Sequence, residues 1–130
     1  MKIITTSNII ITDKHKSILL IKRANGLDAG DLWSLPGGTC HEGETKEEAL
    51  IREIKEELGC SLASFNFFLT FKTPGKEKLV IANYFWGTTE GPIILNKNES
   101  SEYEWFNKLE PFPNLAFNQN LVLSEFLKIK

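Results

Sequence analysis

Glu53, Glu56 and Glu57 fall within one short stretch, Arg52-Glu53-Ile54-Lys55-Glu56-Glu57-Leu58. At about 100° per residue, a helix places them in one arc with only the small Ala49 among them. Carboxylate oxygens are hard ligands suited to Mg²⁺ or Mn²⁺. Like charges at i,i+3 and i,i+4, such as Glu53 with Glu56 and with Glu57, destabilise a bare helix by ~0.2–0.5 kcal/mol each. Arg52 balances only part of that charge, so the stripe calls for a further cation. The ordinary alternative for a Glu-rich helix is a solvated acidic face. The upstream residues weigh against it. Gly37-Gly38 let the backbone approach a ligand with no Cβ in the way, and Glu44 follows just before the helix start. A glycine turn feeding a carboxylate stripe is a phosphate and metal site, which is what phosphoryl chemistry needs.

The element that must carry the stripe is a helix over residues 46–58. Thr45 and Glu48 form a capping box at its start, and Gly59 stands where a left-handed residue closes it. Leu50, Ile51, Ile54 and Leu58 form its apolar arc. Residues 2–12 and 17–23, rich in Ile, Leu and Thr, read as a β-hairpin around the polar turn 13–16. A surface loop over 24–31 follows, then a short strand over 32–35 stopped by Pro36-Gly37-Gly38. Residues 64–72 and 79–87 read as a second strand pair around Thr73-Pro74-Gly75-Lys76, and 104–106 as a shorter strand. Their aromatics Phe67, Phe68, Phe71, Tyr84, Phe85 and Trp86 offer either a base-stacking platform or, as strand aromatics more often do, core packing. Over 118–129, Leu121, Val122, Phe126 and Ile129 share one side of a closing helix. Strands on both sides of a long helix, with a second helix at the end, predict an α/β (α+β) fold: a mixed sheet covered by helices on its faces.

With 42% hydrophobic and 25% charged residues, 130 residues suit one domain over 1–130. Fifteen basic residues nearly balance seventeen acidic ones, for a net charge of -2, so no duplex nucleic acid or anionic membrane is expected as partner. No apolar run is long enough for a signal peptide or a membrane span, and a cytoplasmic location is the expectation. Cys40 and Cys60 are read as free thiols.

From Gly38 the chain runs five residues to Glu44, seven more, then Arg52-Glu53-Ile54-Lys55-Glu56-Glu57-Leu58-Gly59-Cys60. This stretch, 38–60, resembles the Nudix box G-x5-E-x7-R-E-U-x-E-E-x-G-U, where U is bulky and aliphatic. Every fixed polar and glycine position matches, and Cys60 at the last U is the one departure. More loosely, most of the chain resembles the MutT-like branch of that family, which hydrolyses nucleoside triphosphates, including oxidised ones. Lys22-Arg23-Ala24 is similar to that branch's basic strand end, and Leu35-Pro36-Gly37-Gly38 to its F-P-G-G entry, with Leu35 in place of the aromatic. Glu99 precedes Trp105 by six residues, as the branch's extra metal-binding Glu does, with Glu102 and Glu104 as competitors. Phe112-Pro113 followed by Phe117-Asn118 resembles the segment that offers an Asn to the base. A helix N-cap is the other reading of Asn118.

The resemblance implies a Nudix-type α/β/α sandwich, Mg²⁺ or Mn²⁺ as cofactor, and a nucleotide substrate attacked at phosphorus by water. It implies Glu56 and Glu57 as principal metal ligands, with the Gly37 or Gly38 carbonyl and Glu99 completing the set. Glu53 either ligates or acts as base, Arg52 orients Glu53 or Glu56, and Glu44 braces the loop. Arg23 and Lys78 are candidate phosphate contacts, with an exposed strand-end cation as the plain reading of Lys78. Pro74 keeps ADP-ribose open as an alternative substrate, beside dinucleoside polyphosphates. A non-catalytic nucleotide- or RNA-binding module is the rival of another class, but such modules lose box carboxylates and this chain keeps them all. Monomer and homodimer both stay open.

Overall fold

A computed structural model describes residues 1–27, 29–107 and 111–129. The elements are β1 (Lys2–Ile11), β2 (Ile18–Arg23), β3 (Trp33–Ser34), β4 (Gly37–Thr39), α1 (Lys46–Leu58), β5 (Ser61–Pro74), β6 (Lys78–Glu90), β7 (Ser100–Phe106) and α2 (Gln119–Ile129), the last preceded by a 3-10 turn at Ala116–Asn118. They form a four-stranded mixed sheet in the order β4-β1-β6-β5 and a three-stranded sheet in the order β3-β2-β7.

The predicted first hairpin is corrected. Its turn forms, with the Asp13 carboxylate accepting the N–H groups of His15 and Ser17 at 2.9 and 2.8 Å. Beyond the bridge Thr12–Ile18, however, the strands part into different sheets. Both edges of β1 are taken, by β4 and by β6, whose parallel register sets Lys2 against Lys78 and Ile11 against Gly87. The short strand stops before Pro36 as predicted, but the two glycines open a new strand, β4, in the other sheet. Pro36 lacks an N–H but its carbonyl accepts that of Ile9 at 2.9 Å, and Gly37–Thr39 then pair with β1. The second strand pair forms as an antiparallel hairpin, longer than read. The loop reading of 24–31 lies partly outside the described residues, at Asp28.

Side chains alternate along β1 between two faces. Ile9 and Ile11 pack with Leu19, Ile21 and Phe85 against Leu50, Ile54 and Leu58 of α1. Ile10 packs with Ile18, Leu20 and Tyr84 against Val122, Leu123 and Phe126 of α2. The two helices therefore cover opposite faces, the layering that period-2 strands and one apolar stripe per helix require.

α1 starts on the capping box and ends on left-handed Gly59 (φ 66°) as predicted, but its buried side is Ala49, Leu50, Ile54, Glu57 and Leu58, with Ile51 exposed. On α2 the stripe is likewise turned. Gln119, Val122, Leu123 and Phe126 are buried, whereas Leu121 (57% exposed) and Ile129 (65%) face outward. The reason is an anchor at its first turn: the Gln119 Oε1 accepts the Leu35 N–H at 2.7 Å, which fixes the helix rotation. Among the described residues no helix is long and apolar enough to cross a membrane.

Candidate active site

Arg52 organises the acidic side of α1. Its Nε and Nη2 donate to the two oxygens of Glu44 at 2.7 and 3.0 Å. Nη1 donates to Glu53 Oε1 at 2.9 Å and to Glu56 Oε2 at 3.1 Å, while Nη2 also reaches the Thr39 carbonyl at 3.0 Å. A guanidinium has five N–H donors, and these five bonds match them. Arg52 chiefly, and then the His41 N–H that Glu44 accepts at 2.7 Å, hold the Glu44 carboxyl down to about 2, well below the usual carboxylate range. Its neighbours push the Arg52 pKa further up. Glu44 is thus a brace between loop and helix.

Glu57 has the opposite surroundings. It is 6% exposed, and its Oε1 accepts the Gly37 N–H at 3.1 Å. Burial pushes its carboxyl up to about 8; the Gly37 bond and the Arg23 charge work against that shift, and Glu99 and Glu53 add to it. Glu53, half-buried, is also raised, mainly by desolvation, with Glu56 and Glu99 contributing and Arg52 opposing. Of the three acidic residues weighed for the extra ligand, Glu99 is therefore the one whose charge reaches both Glu53 and Glu57. Its backbone carbonyl accepts the Ala24 N–H at 3.0 Å, which fixes it at the end of β2. Glu102 instead faces Lys22 across the β2–β7 ladder.

The glycines have a steric reason. A Cβ on Gly38 would overlap the Glu53 carboxylate, with Oε2 at 2.5 Å. A Cβ on Gly37, whose φ is 151°, would meet Asn8 Cα at 2.6 Å. Backbone and carboxylates can approach this closely only because both positions lack a side chain.

Gly37, Gly38 and Glu57 line one end of a cleft of about 490 Å³, and Arg23, Lys78 and Asn118 line it too. Its floor is the α2-side face of the mixed sheet beyond the start of α2: Ile4, Thr6 and Asn8 of β1 beside Val80, Ala82 and Tyr84 of β6. Lys78 stands at the far end of that floor, six residues along β6 from Tyr84, about 20 Å. Asn118 has a left-handed backbone (φ 58°), and among the described residues its side chain makes no hydrogen bond, so the N-cap reading is not what the structure shows. Glu44, Arg52, Glu53, Glu56 and Glu99 lie outside the cleft lining, the first four grouped at the Arg52 network.

Sequence reasoning missed Phe117, Gln119 and Ser34, which also line the cleft. Phe117 stands beside Asn118 and outside the apolar stripe of α2, a visible sign that it was not core. Of the strand aromatics, Tyr84 and Phe85 are core as read, whereas Phe71 is half-buried at the cleft and Phe67 lies exposed under Lys46 at 4.7 Å.

A donor set for a divalent ion is present in kind: hard oxygens only, the buried Glu57 balanced by little positive charge, and room made by Gly38. Among the described residues no three such side chains already stand close enough to enclose an ion, because Glu53 and Glu56 turn to Arg52.

The family model described as NUDIX domain matches residues 2–126. The chain is 34% identical over 122 residues to a Methanocaldococcus jannaschii protein named ADP-ribose pyrophosphatase, covering 92% of this chain and 71% of that one. It is 29% identical over 76 residues to the 8-oxo-dGTP diphosphatase of Proteus vulgaris, covering 58% of this chain and 68% of that one. The crystal structure of a MutT protein from Methanosarcina mazei Go1 matches with a TM-score of 0.85 at 25% identity, over 98% of this chain and 94% of that one. The chain belongs to the NUDIX domain family, and it is a MutT-like Nudix hydrolase.

Proposed function

We propose that this Nudix pyrophosphohydrolase acts on a nucleoside triphosphate, releasing the nucleoside monophosphate and pyrophosphate. The observation that carries the reading is the shared cleft: Glu57, Gly37 and Gly38 at one end, the cation Arg23 beside them, the amide of Asn118, unpaired among the described residues, and a mixed floor of Ile4, Thr6, Asn8, Val80 and Ala82. Polyphosphate, ribose and base each find a matching surface there.

Glu56 and Glu57, with the Gly37 or Gly38 carbonyl and Glu99, would hold Mg²⁺ or Mn²⁺. Bound there, the ion supplies neutralisation of phosphate and leaving-group charge and eases attack by water at neutral pH. The protein's own groups do the rest. Glu53 accepts the proton of the attacking water at Oε2, the oxygen that Arg52 does not hold, and desolvation raises its carboxyl above the ordinary value, which makes it a stronger base. Arg52 and Glu44 fix that carboxylate, and Arg23 meets a phosphate oxygen. Asn118 contacts the nucleoside end, and so does Lys78 in place of the phosphate contact expected from the sequence, because it stands at the far end of the floor from Gly37.

ADP-ribose is the second reading, favoured by the relative named for it that matches 92% of this chain. Pro74 does not add to it, since that residue closes β5 at the hairpin turn and is absent from the cleft lining. Incubating the protein with Mg²⁺ and a panel of nucleoside triphosphates, their 8-oxo forms and ADP-ribose, and identifying products, tests both. Monophosphate plus pyrophosphate supports the first reading; AMP plus ribose 5-phosphate as the dominant product replaces it with the second.

A further inference from the structure

Phe117 sits in a conformation that its residue type disfavours. Its φ and ψ are 57° and 34°, and Asn118 beside it has φ 58°. Asn tolerates that region, but for a bulky aromatic it is a strained outlier. Burial does not offset the cost, because the ring is 51% exposed. The chain on either side is tied down. Ala116 and Gln119 are buried, Gln119 Oε1 takes the Leu35 N–H, and the Asn120 Oδ1 takes the Leu115 N–H at 2.7 Å. These anchors hold Phe117 outward, against the edge of the cleft. The Arg23 guanidinium lies over one ring face, 4.9 Å from its centre.

Among the described residues three aromatics line the cleft, and of these Phe117 is the exposed one. Tyr84 is buried in the core, and Phe71 packs against the same cluster. We infer that Phe117 is a specificity-determining residue whose free ring face stacks on the nucleobase, while Arg23 on the other face stays beside the phosphates. The inference rests on the nucleotide reading above and adds the ligand class of this edge of the cleft: a planar heterocycle, not a sugar. A strained, exposed aromatic next to a site is where preorganisation is commonly stored. Stacking of a base on an aromatic side chain also needs no particular base, so Phe117 would select for an aromatic substituent while other groups choose among bases.

The test compares Phe117→Ala, Phe117→Leu and Phe117→Trp with the unaltered chain at saturating Mg²⁺. KM and kcat are measured on the nucleotide that the panel ranks first, and tripolyphosphate serves as a competitor without a base. The Ala and Leu variants are expected to raise KM roughly ten-fold with kcat within about two-fold, and Trp to restore KM. The inhibition constant of tripolyphosphate is expected to stay the same. A KM for Phe117→Ala within about two-fold of the unaltered chain overturns the inference. So does a parallel rise in the tripolyphosphate constant, which would mean that Phe117 acts only through Arg23. If the unaltered chain turns over no nucleotide, the proposed function fails by itself. The dissociation constants of AMP and GMP, measured by equilibrium dialysis for the unaltered chain and Phe117→Ala, then decide the stacking separately: weaker binding in the variant supports it, and equal or absent binding rejects it.

Discussion

Arg52 grips Glu44 at two points, Nε to Oε2 at 2.7 Å and Nη2 to Oε1 at 3.0 Å, and so ties the segment before α1 to the helix that carries Glu53, Glu56 and Glu57. The same guanidinium holds Glu53, Glu56 and the Thr39 carbonyl. A lysine has three donors and no planar fork, so it cannot keep this set together. Arg52→Lys is expected to lower kcat about 10–100-fold and to raise the Mg²⁺ concentration needed for half-maximal rate, with the circular dichroism spectrum unchanged. Metal-titration kinetics read both quantities. Near-normal values of the two would remove Arg52 from the positioning role.

Glu57 links stability to pH. Its carboxyl is pushed up to about 8 in the folded chain from an ordinary 4.5, chiefly by burial. A raised folded value favours folding while the group is protonated. That contribution is full below about 4.5 and is lost as pH climbs through about 8, a loss on the order of a few kcal/mol. Glu44 has the reverse sign: its contribution is present above about 4.5 and is lost as pH falls through about 2. In EDTA, Tm should therefore fall between pH 5 and pH 8.5, roughly the window set by the Glu57 shift. Glu57→Gln should flatten that slope. Mg²⁺ should raise Tm more at the alkaline end, because protons and metal compete for the same oxygens. Scanning calorimetry of both proteins across this range is the check, and an equally steep slope in the variant would reassign it to other groups.

Gly38 is a steric requirement of Glu53. A methyl group there would overlap the carboxylate, so Gly38→Ala must displace it. Misplacement of a reacting group by about 1 Å can cost roughly 100-fold, and kcat is expected to fall by that order. Because the displaced atoms are the end of a flexible side chain, Tm should move by only a few degrees. A calorimetric collapse instead would show that the glycine serves the backbone.

How far this could be read in advance depends on the range of each signal. The capping box at Thr45 and Glu48, the Gly59 terminus and the carboxylate spacing are local, and they stand in the structure as read. The sheet split is not local. β1 pairs in parallel with β6 across a separation that sets Lys2 against Lys78, and no turn residue announces such a pairing. The charge argument on α1 underestimated Arg52, whose fork neutralises part of Glu53 and Glu56 and leaves Glu57 as the unbalanced group. Which residues line the cleft was legible for Gly37, Gly38, Glu57, Arg23, Lys78 and Asn118. It was not for Phe117, whose position depends on a left-handed backbone that sequence periodicity does not encode.

Asn118 and Pro74 separate substrate contact from turn chemistry. Asn118→Ala is expected to compress the differences in kcat/KM between bases by about ten-fold, since an amide that the bound base covers and leaves unpaired is what penalises the wrong base. Pro74→Ala is expected to leave the ratio between ADP-ribose and nucleoside triphosphate unchanged and to cost at most about 1 kcal/mol of stability. Competition assays with mixed substrates measure both ratios directly. A switch of preference in Pro74→Ala would return that residue to the site.

Glu57→Gln is the most direct measurement of all. It keeps shape, burial and the contact to Gly37, and it removes the charge on which metal and phosphate binding depends. The account predicts that turnover at saturating Mg²⁺ falls by orders of magnitude while Tm at pH 8 stays level or rises, since a buried carboxylate no longer has to ionise. Full activity in that variant, or activity lost only in step with a lowered Tm, would contradict it.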